Sequence, residues 1–225
     1  MSKVCARDYE GVKRQLEEAL RRLKTDHIDL YQFHAIQYPG DGKRILDTDK
    51  GGLKALLEAK KAGKIRYIGF TGHRDPKIHL DMLNMPFEWD TVQLPLNILD
   101  AHYSSFQKEV LPVLTKRNIA ALGMKSLAGQ DARLPRELNI SPELCRRYSL
   151  SLPVSALVCG IQTREELQAD LKIVRNFKPL TEDDVNMLLD KSREPSKTGI
   201  IEEYKNPKGF YGCSYHASIL QQEQS

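Results

Sequence analysis

The chain has 225 residues, enough for one large α/β domain or two small ones, and its 40% hydrophobic and 28% charged side chains, with a formal net charge of +4, are ordinary for a soluble globular protein. The basic residues are scattered, as in Lys60-Lys61 and Arg146-Arg147, which speaks against a nucleic-acid partner. No apolar run approaches the roughly 18 residues of a membrane span, and no apolar stretch follows Met1-Ser2-Lys3, so no membrane segment or leader is expected and a cytoplasmic location is.

In chain order, Asp8 is a fitting N-cap for a helix to residue 24, with an apolar stripe of Val12, Leu16, Leu20 and Leu23. The run 27–35 reads as a buried parallel strand that delivers His34 at its carboxyl end. There an imidazole can polarise a carbonyl or move a proton, or simply end a core strand. A loop over 37–50 precedes a helix over 52–62, which Gly63 ends. A strand over 64–70 leads into Thr71-Gly72-His73, and Asp75-Pro76 opens the next helix. His73, His79 and His102 read as surface or loop histidines.

Further on, a strand over 91–97 carries Gln93 and Asn97, a helix covers 106–117, and a strand over 119–124 runs into Lys125-Ser126-Leu127-Ala128-Gly129. A helix from Ser141-Pro142 to 152 and a strand over 154–161 follow. Thr163-Arg164-Glu165-Glu166 is a capping-box signature for a helix to 177, and a last helix covers 181–193. From Pro195 the chain reads as a polar surface tail, which divides it into a body, 1–195, and a tail, 196–225. The dispersed Cys5, Cys145, Cys159 and Cys213 form no CxxC pair and point to reduced thiols rather than disulfides or zinc. Cys213 and His216 have ligand-like spacing but no second pair nearby, so no metal is expected.

Strand and helix alternate with a period of about 30 residues, the size of a βαβ step, which implies a parallel sheet, open or closed as a barrel. No GxGxxG follows a strand, which turns the choice towards a barrel.

The blocks 20–34, Gly63-Lys64-Ile65-Arg66-Tyr67-Ile68-Gly69-Phe70-Thr71, Val92-Gln93-Leu94-Pro95-Leu96-Asn97, Met124-Lys125-Ser126-Leu127 and Gly160-Ile161-Gln162-Thr163 resemble, in order, those of the aldo-keto reductase superfamily. The resemblance runs from about residue 2 to 193. It implies a (β/α)8 TIM-type barrel and hydride transfer between NADP(H) and an aldehyde or ketone. His34 falls on the histidine that hydrogen-bonds the carbonyl, and Lys3 on the lysine that lowers the pKa of a catalytic tyrosine. Thr71 and Gln93 fall on residues that grip the nicotinamide carboxamide. Met124 takes the place of a tyrosine stacked on that ring, and Lys125, Ser126 and Leu127 fall on the pyrophosphate loop. Gln162, Thr163 and Arg164 fall on the segment that reads the 2′-phosphate. Gln162 stands in for an arginine, and Asp170 for an asparagine near adenine, which leaves NAD(H) open beside the favoured NADP(H).

The resemblance begins at the third strand of the barrel, so five strands are expected here, the fourth to the eighth. The family's catalytic aspartate and tyrosine have no counterpart. The expectation is an N-terminally truncated reductase, Met1 being an internal methionine of the third strand, with impaired catalysis. The alternatives are a nucleotide-binding pseudoenzyme and a fragment that needs a partner to complete the barrel.

Overall fold

The computed structural model describes residues 1–129 and 132–206. They fall into two compact units, residues 1–92 and 93–206. In each, strands and helices alternate and strand order follows chain order. Six strands stand where a closed (β/α)8 barrel has eight, so the fold is α/β of the barrel type, incomplete among the described residues.

In the first unit, β1 (Ser2–Val4), β2 (Ile28–Phe33) and β3 (Ile65–Thr71) are parallel and adjacent. β1 is a sixth strand beyond the five expected, and its three residues pair with Tyr31, Gln32 and Phe33. Helix α1 (Tyr9–Leu23) starts where the Asp8 carboxylate accepts the Gly11 N–H and ends at Lys24, which turns left-handed at φ 53°. It buries Val12, Leu16 and Leu20, while Leu23 is exposed. The expected loop 37–50 contains a short helix, α2 (Asp41–Ile45), because Asp41 turns inward and its carboxylate accepts the Gln37 and Tyr38 N–H groups. Helices α3 (Gly52–Lys61) and α4 (Pro76–Leu83) complete the layer.

Side chains alternate across a strand, and the two faces differ. Phe33 and Phe70 meet Trp89, with ring centroids 6.2 and 5.0 Å apart, and the Trp89 indole N–H donates to the Met82 carbonyl. On the other face Lys3, Gln32 and Gly69 share one row. A Cβ on Gly69 would come within 2.1 Å of Thr91 Oγ1; the gap lets the Thr91 hydroxyl reach Gln32 Oε1 at 3.4 Å. His73 and His79 are corrections to the surface reading. Both are buried, and the His79 ring lies 5.3 Å from that of Phe70.

Strand β4 (Thr91–Pro95) leads into the second unit, which contains β5 (Ala120–Met124) and β6 (Ala156–Leu157). The helix expected over 106–117 is two, α5 (Phe106–Glu109) and α6 (Leu111–Lys116). Pro112 has no N–H to continue a single ladder. Helix α7 (Arg133–Leu138) occupies the loop before α8 (Pro142–Ser151). Strand β6 keeps two of its eight expected residues, hydrogen-bonded to β5. It is followed by α9 (Arg164–Arg175) and α10 (Glu182–Ser196).

Residues beyond α10 were expected as a surface tail, yet those described pack inward. Ile201 joins a core of Leu99, Leu134, Tyr148 and Leu188. In the 3-10 turn Glu203–Lys205, the buried Lys205 ammonium meets Asp100 at 2.7 Å and Glu202 at 2.9 Å. The Tyr204 hydroxyl donates to Glu202, as does the Asn97 amide. Burial pushes the Asp100 carboxyl up to about 7, against the pull of Lys205. Cys213 and His216 lie outside the described residues.

Candidate functional site

In the first unit, Lys3, His34 and Thr71 stand at the carboxyl ends of adjacent strands β1, β2 and β3. This is the end at which a barrel of this type does its chemistry. Two backbone hydrogen bonds hold the strand ends: His34 N–H to the Val4 carbonyl, 2.7 Å, and Ile36 N–H to the Thr71 carbonyl, 2.8 Å. Ala35, between them, is left-handed at φ 52°, a conformation that costs a non-glycine residue about 1–2 kcal/mol. Such strain gathers where structure is held for function. Burial lowers the Lys3 ammonium below its ordinary value. Thr71 is buried and His34 half-buried.

Three residues of this region escaped the sequence reading. The fully buried Arg7 guanidinium donates to the carbonyls of Cys5 (2.8 Å), His34 (2.7 Å) and Ala35 (3.2 Å) and pairs with Asp41 at 3.2 Å. Cys5 Sγ lies 3.5 Å from His34 Nδ1. Arg7 carries no signal in the sequence, because a charge buried by residues far along the chain leaves no local pattern.

The second unit brings most of the expected nucleotide residues together. Gln93, Met124, Lys125, Ser126, Leu127 and Gln162, with Arg146 and Glu166, line a cavity of about 560 Å³. That lies within the usual range for small-molecule sites, roughly 300–1,000 Å³. A second hollow of about 910 Å³, walled by α8 and α9, shares Leu127, Arg146, Gly160 and Glu166 with it. The Gln93 amide donates to Met124 Sδ at 3.3 Å. After β5 the backbone turns left-handed at Lys125 (φ 59°), Ala128 (φ 60°) and Gly129 (φ 94°), the kind of turn that can gather N–H groups into an anion-binding concavity. Burial lowers the Lys125 ammonium, which lies 5.4 Å from the Tyr204 ring.

Arg146 is an addition to the expected set. Its guanidinium donates to Ser126 Oγ at 2.6 Å and to Asp170 at 3.1 Å. Thr163 is committed to capping α9, its hydroxyl accepting the Glu166 N–H, and neither it nor Arg164 lines the cavity. The Glu166 carboxylate accepts the N–H groups of Gln162 (2.6 Å) and Thr163 (3.3 Å). This helix N-terminus therefore already holds an anion of its own.

The sequence model described as Aldo/keto reductase family matches residues 3–133. The chain belongs to the aldo/keto reductase family. Among curated relatives it is 41% identical to Protein tas of Escherichia coli K12, over an alignment covering 28% of this chain and 21% of that protein. It is 27% identical to the L-galactose dehydrogenase of Arabidopsis thaliana, covering 53% of this chain and 36% of the dehydrogenase. The chain thus spans a fifth to about a third of the length of these relatives. Among solved structures, the holo form of aldo-keto reductase AKR11C1 from Bacillus halodurans superposes with a TM-score of 0.64 at 22% identity, covering 84% of this chain and 70% of that one. At that identity the likeness speaks for the family's fold. Among the described residues, no helix is long and apolar enough to cross a membrane.

Proposed function

We propose that this aldo/keto reductase chain binds a nicotinamide dinucleotide in the second unit's cavity and takes part in hydride exchange between that coenzyme and a small aldehyde or ketone. The observation that supports this best is the convergence of Gln93, Met124, Lys125, Ser126, Leu127 and Gln162, drawn from separate stretches of chain, on one cavity. The chemistry of that wall fits the ligand. A Lys125 ammonium kept partly from water, with the buried Ser126–Arg146 pair, suits a pyrophosphate. The Gln93 amide and Met124 thioether suit the carboxamide and the flat face of a nicotinamide. When bound, the coenzyme supplies or accepts the hydride. His34 donates a hydrogen bond to the carbonyl oxygen, and Lys3 and Thr71 line the same strand ends. Glu166, more than Arg164, governs the choice between the 2′-phosphate of NADP(H) and the 2′-hydroxyl of NAD(H), because its carboxylate occupies the N–H groups a phosphate would use. With dispersed reduced thiols, a cytoplasmic setting fits this chemistry.

A second reading, nucleotide binding with little or no turnover, is favoured by two tyrosines of the first unit. Tyr9 donates to Glu58 at 2.6 Å and its phenol is raised by that bond. Tyr31 is sealed in the core, its phenol also raised by burial. A phenol so held is a poor proton donor at neutral pH.

Titration of NADH and NADPH fluorescence against the folded protein, followed by nicotinamide absorbance with a panel of quinones and dicarbonyls, tests both readings. Saturable binding with slow turnover is expected. Rapid turnover would remove the second reading, and failure of the folded protein to bind either nucleotide would remove both.

A further inference from the structure

Cys5 and His34 are joined by more than proximity. Arg7 donates to both of their carbonyls and is itself anchored on Asp41. Gln15 of α1 accepts the Cys5 N–H at 2.9 Å, and the His34 N–H is held by Val4. Both backbones are thus fixed, while both side chains stay half-buried rather than sealed. The other described thiols differ. Burial pushes Cys145 up to about 12, and Cys159 is raised as well. A sulfur at 3.5 Å from an imidazole nitrogen is in the setting that turns a thiol into a thiolate.

We propose that Cys5 and His34 form a nucleophilic pair that captures α,β-unsaturated carbonyl compounds. In the tautomer with hydrogen on Nε2, His34 Nδ1 takes the Cys5 thiol proton. The sulfur bonds to the β-carbon as the carbon–carbon π bond breaks, and the proton returns from His34 to the α-carbon. Nothing is oxidised or reduced, and the product is a stable thioether. The charged and titratable groups near Cys5 are His34 just after β2, Tyr31 of β2, and the Arg7–Asp41 pair, with Lys3 two residues earlier on β1. The high-pKa Tyr31 phenol stays neutral beside Cys5.

The test is labelling of the full chain by N-ethylmaleimide, itself a conjugated carbonyl, with rates read per cysteine by peptide mass spectrometry between pH 5 and 9. At pH 7 Cys5 is expected to react at least tenfold faster than Cys145 and Cys159. Its rate should level off well below the ordinary thiol pKa of about 8.5. His34→Gln is expected to slow Cys5 about tenfold and restore the rising pH profile of a simple thiol. Labelling of Cys5 no faster than the buried thiols, or a rate and profile indifferent to His34→Gln, would overturn the proposal. Should that variant melt early, the wild-type profile decides. A plateau below pH 8 supports the pair, and a rate climbing tenfold per pH unit up to pH 8 overturns it.

Discussion

Strands β2 and β6 are both parallel strands that feed a loop with candidate site residues, yet they are held in different ways. β2 is six residues long and paired with a neighbour on each side. Behind its carboxyl end lies the buried Arg7–Asp41 pair. β6 has two residues, pairs with β5, and leads into α9, which has no buried residue among those described. Leu167, Leu171 and Val174 form an apolar stripe on α9 that stays exposed. In the first case tertiary contacts over-determine the strand end. In the second, the Thr163–Glu166 capping box and one tertiary tie, the Arg146–Asp170 pair, do most of the holding. Order at a site can come from either source, but the two should fail differently.

Removing one partner of the buried ion pair should do the most damage. Arg7→Ala leaves Asp41 uncompensated and should cost about 3–5 kcal/mol, read as a shift in the urea midpoint of Trp89 fluorescence. Trp89 is the one tryptophan of the sequence and packs beside Phe33 and Phe70. The double change Arg7→Met with Asp41→Leu should cost much less, because no charge is left buried alone. Equal losses would mean that the cost lies in the hydrogen bonds Arg7 gives to the Cys5, His34 and Ala35 carbonyls rather than in the unpaired charge. Next comes Gly69→Ala, whose Cβ would meet Thr91 Oγ1 at 2.1 Å and the Thr91 carbonyl oxygen at 2.6 Å. A loss of about 1–3 kcal/mol is expected. Thr91→Ala should not rescue it, because the carbonyl remains.

At the weaker end, Glu166→Gln keeps a side chain able to complete the cap but removes the charge. It should raise affinity for NADPH relative to NADH several-fold in a fluorescence titration and leave the melt close to wild type. Smallest of all, Leu171→Ser should change stability by no more than about 0.5 kcal/mol, because that side chain touches water already. A larger loss would mean that α9 is covered in solution.

These contrasts also explain what was legible in the sequence. The run Ile28–Phe33 followed by His34 is visible because a strand covered on both faces must be apolar nearly throughout. The Lys125–Leu127 loop and the α9 cap are visible because turns and caps are short-range chemistry. Arg7, Asp41 and the Asp100–Glu202–Lys205 cluster are not. Each charged residue there looks like ordinary surface until a distant segment of chain neutralises it. The brevity of β6 is equally hidden, since strand length depends on what lies alongside and the sequence of a strand does not report its neighbours. His79 shows the converse error, where a residue type common at surfaces is buried against Phe70.

The central claim is that the cavity lined by Gln93, Met124, Lys125, Ser126 and Leu127 is a nucleotide site. Gly160 also lines it, and no atom lies within 4 Å of where its Cβ would stand, so the side chain of Gly160→Phe starts in open space and is expected to obstruct the cavity. The most direct measurement compares NADH and NADPH binding by wild type and Gly160→Phe, with thermal melts in parallel. The account predicts saturable binding by wild type and a loss of at least tenfold in the variant, at an unchanged melting temperature. Equal binding by the two folded proteins would contradict it.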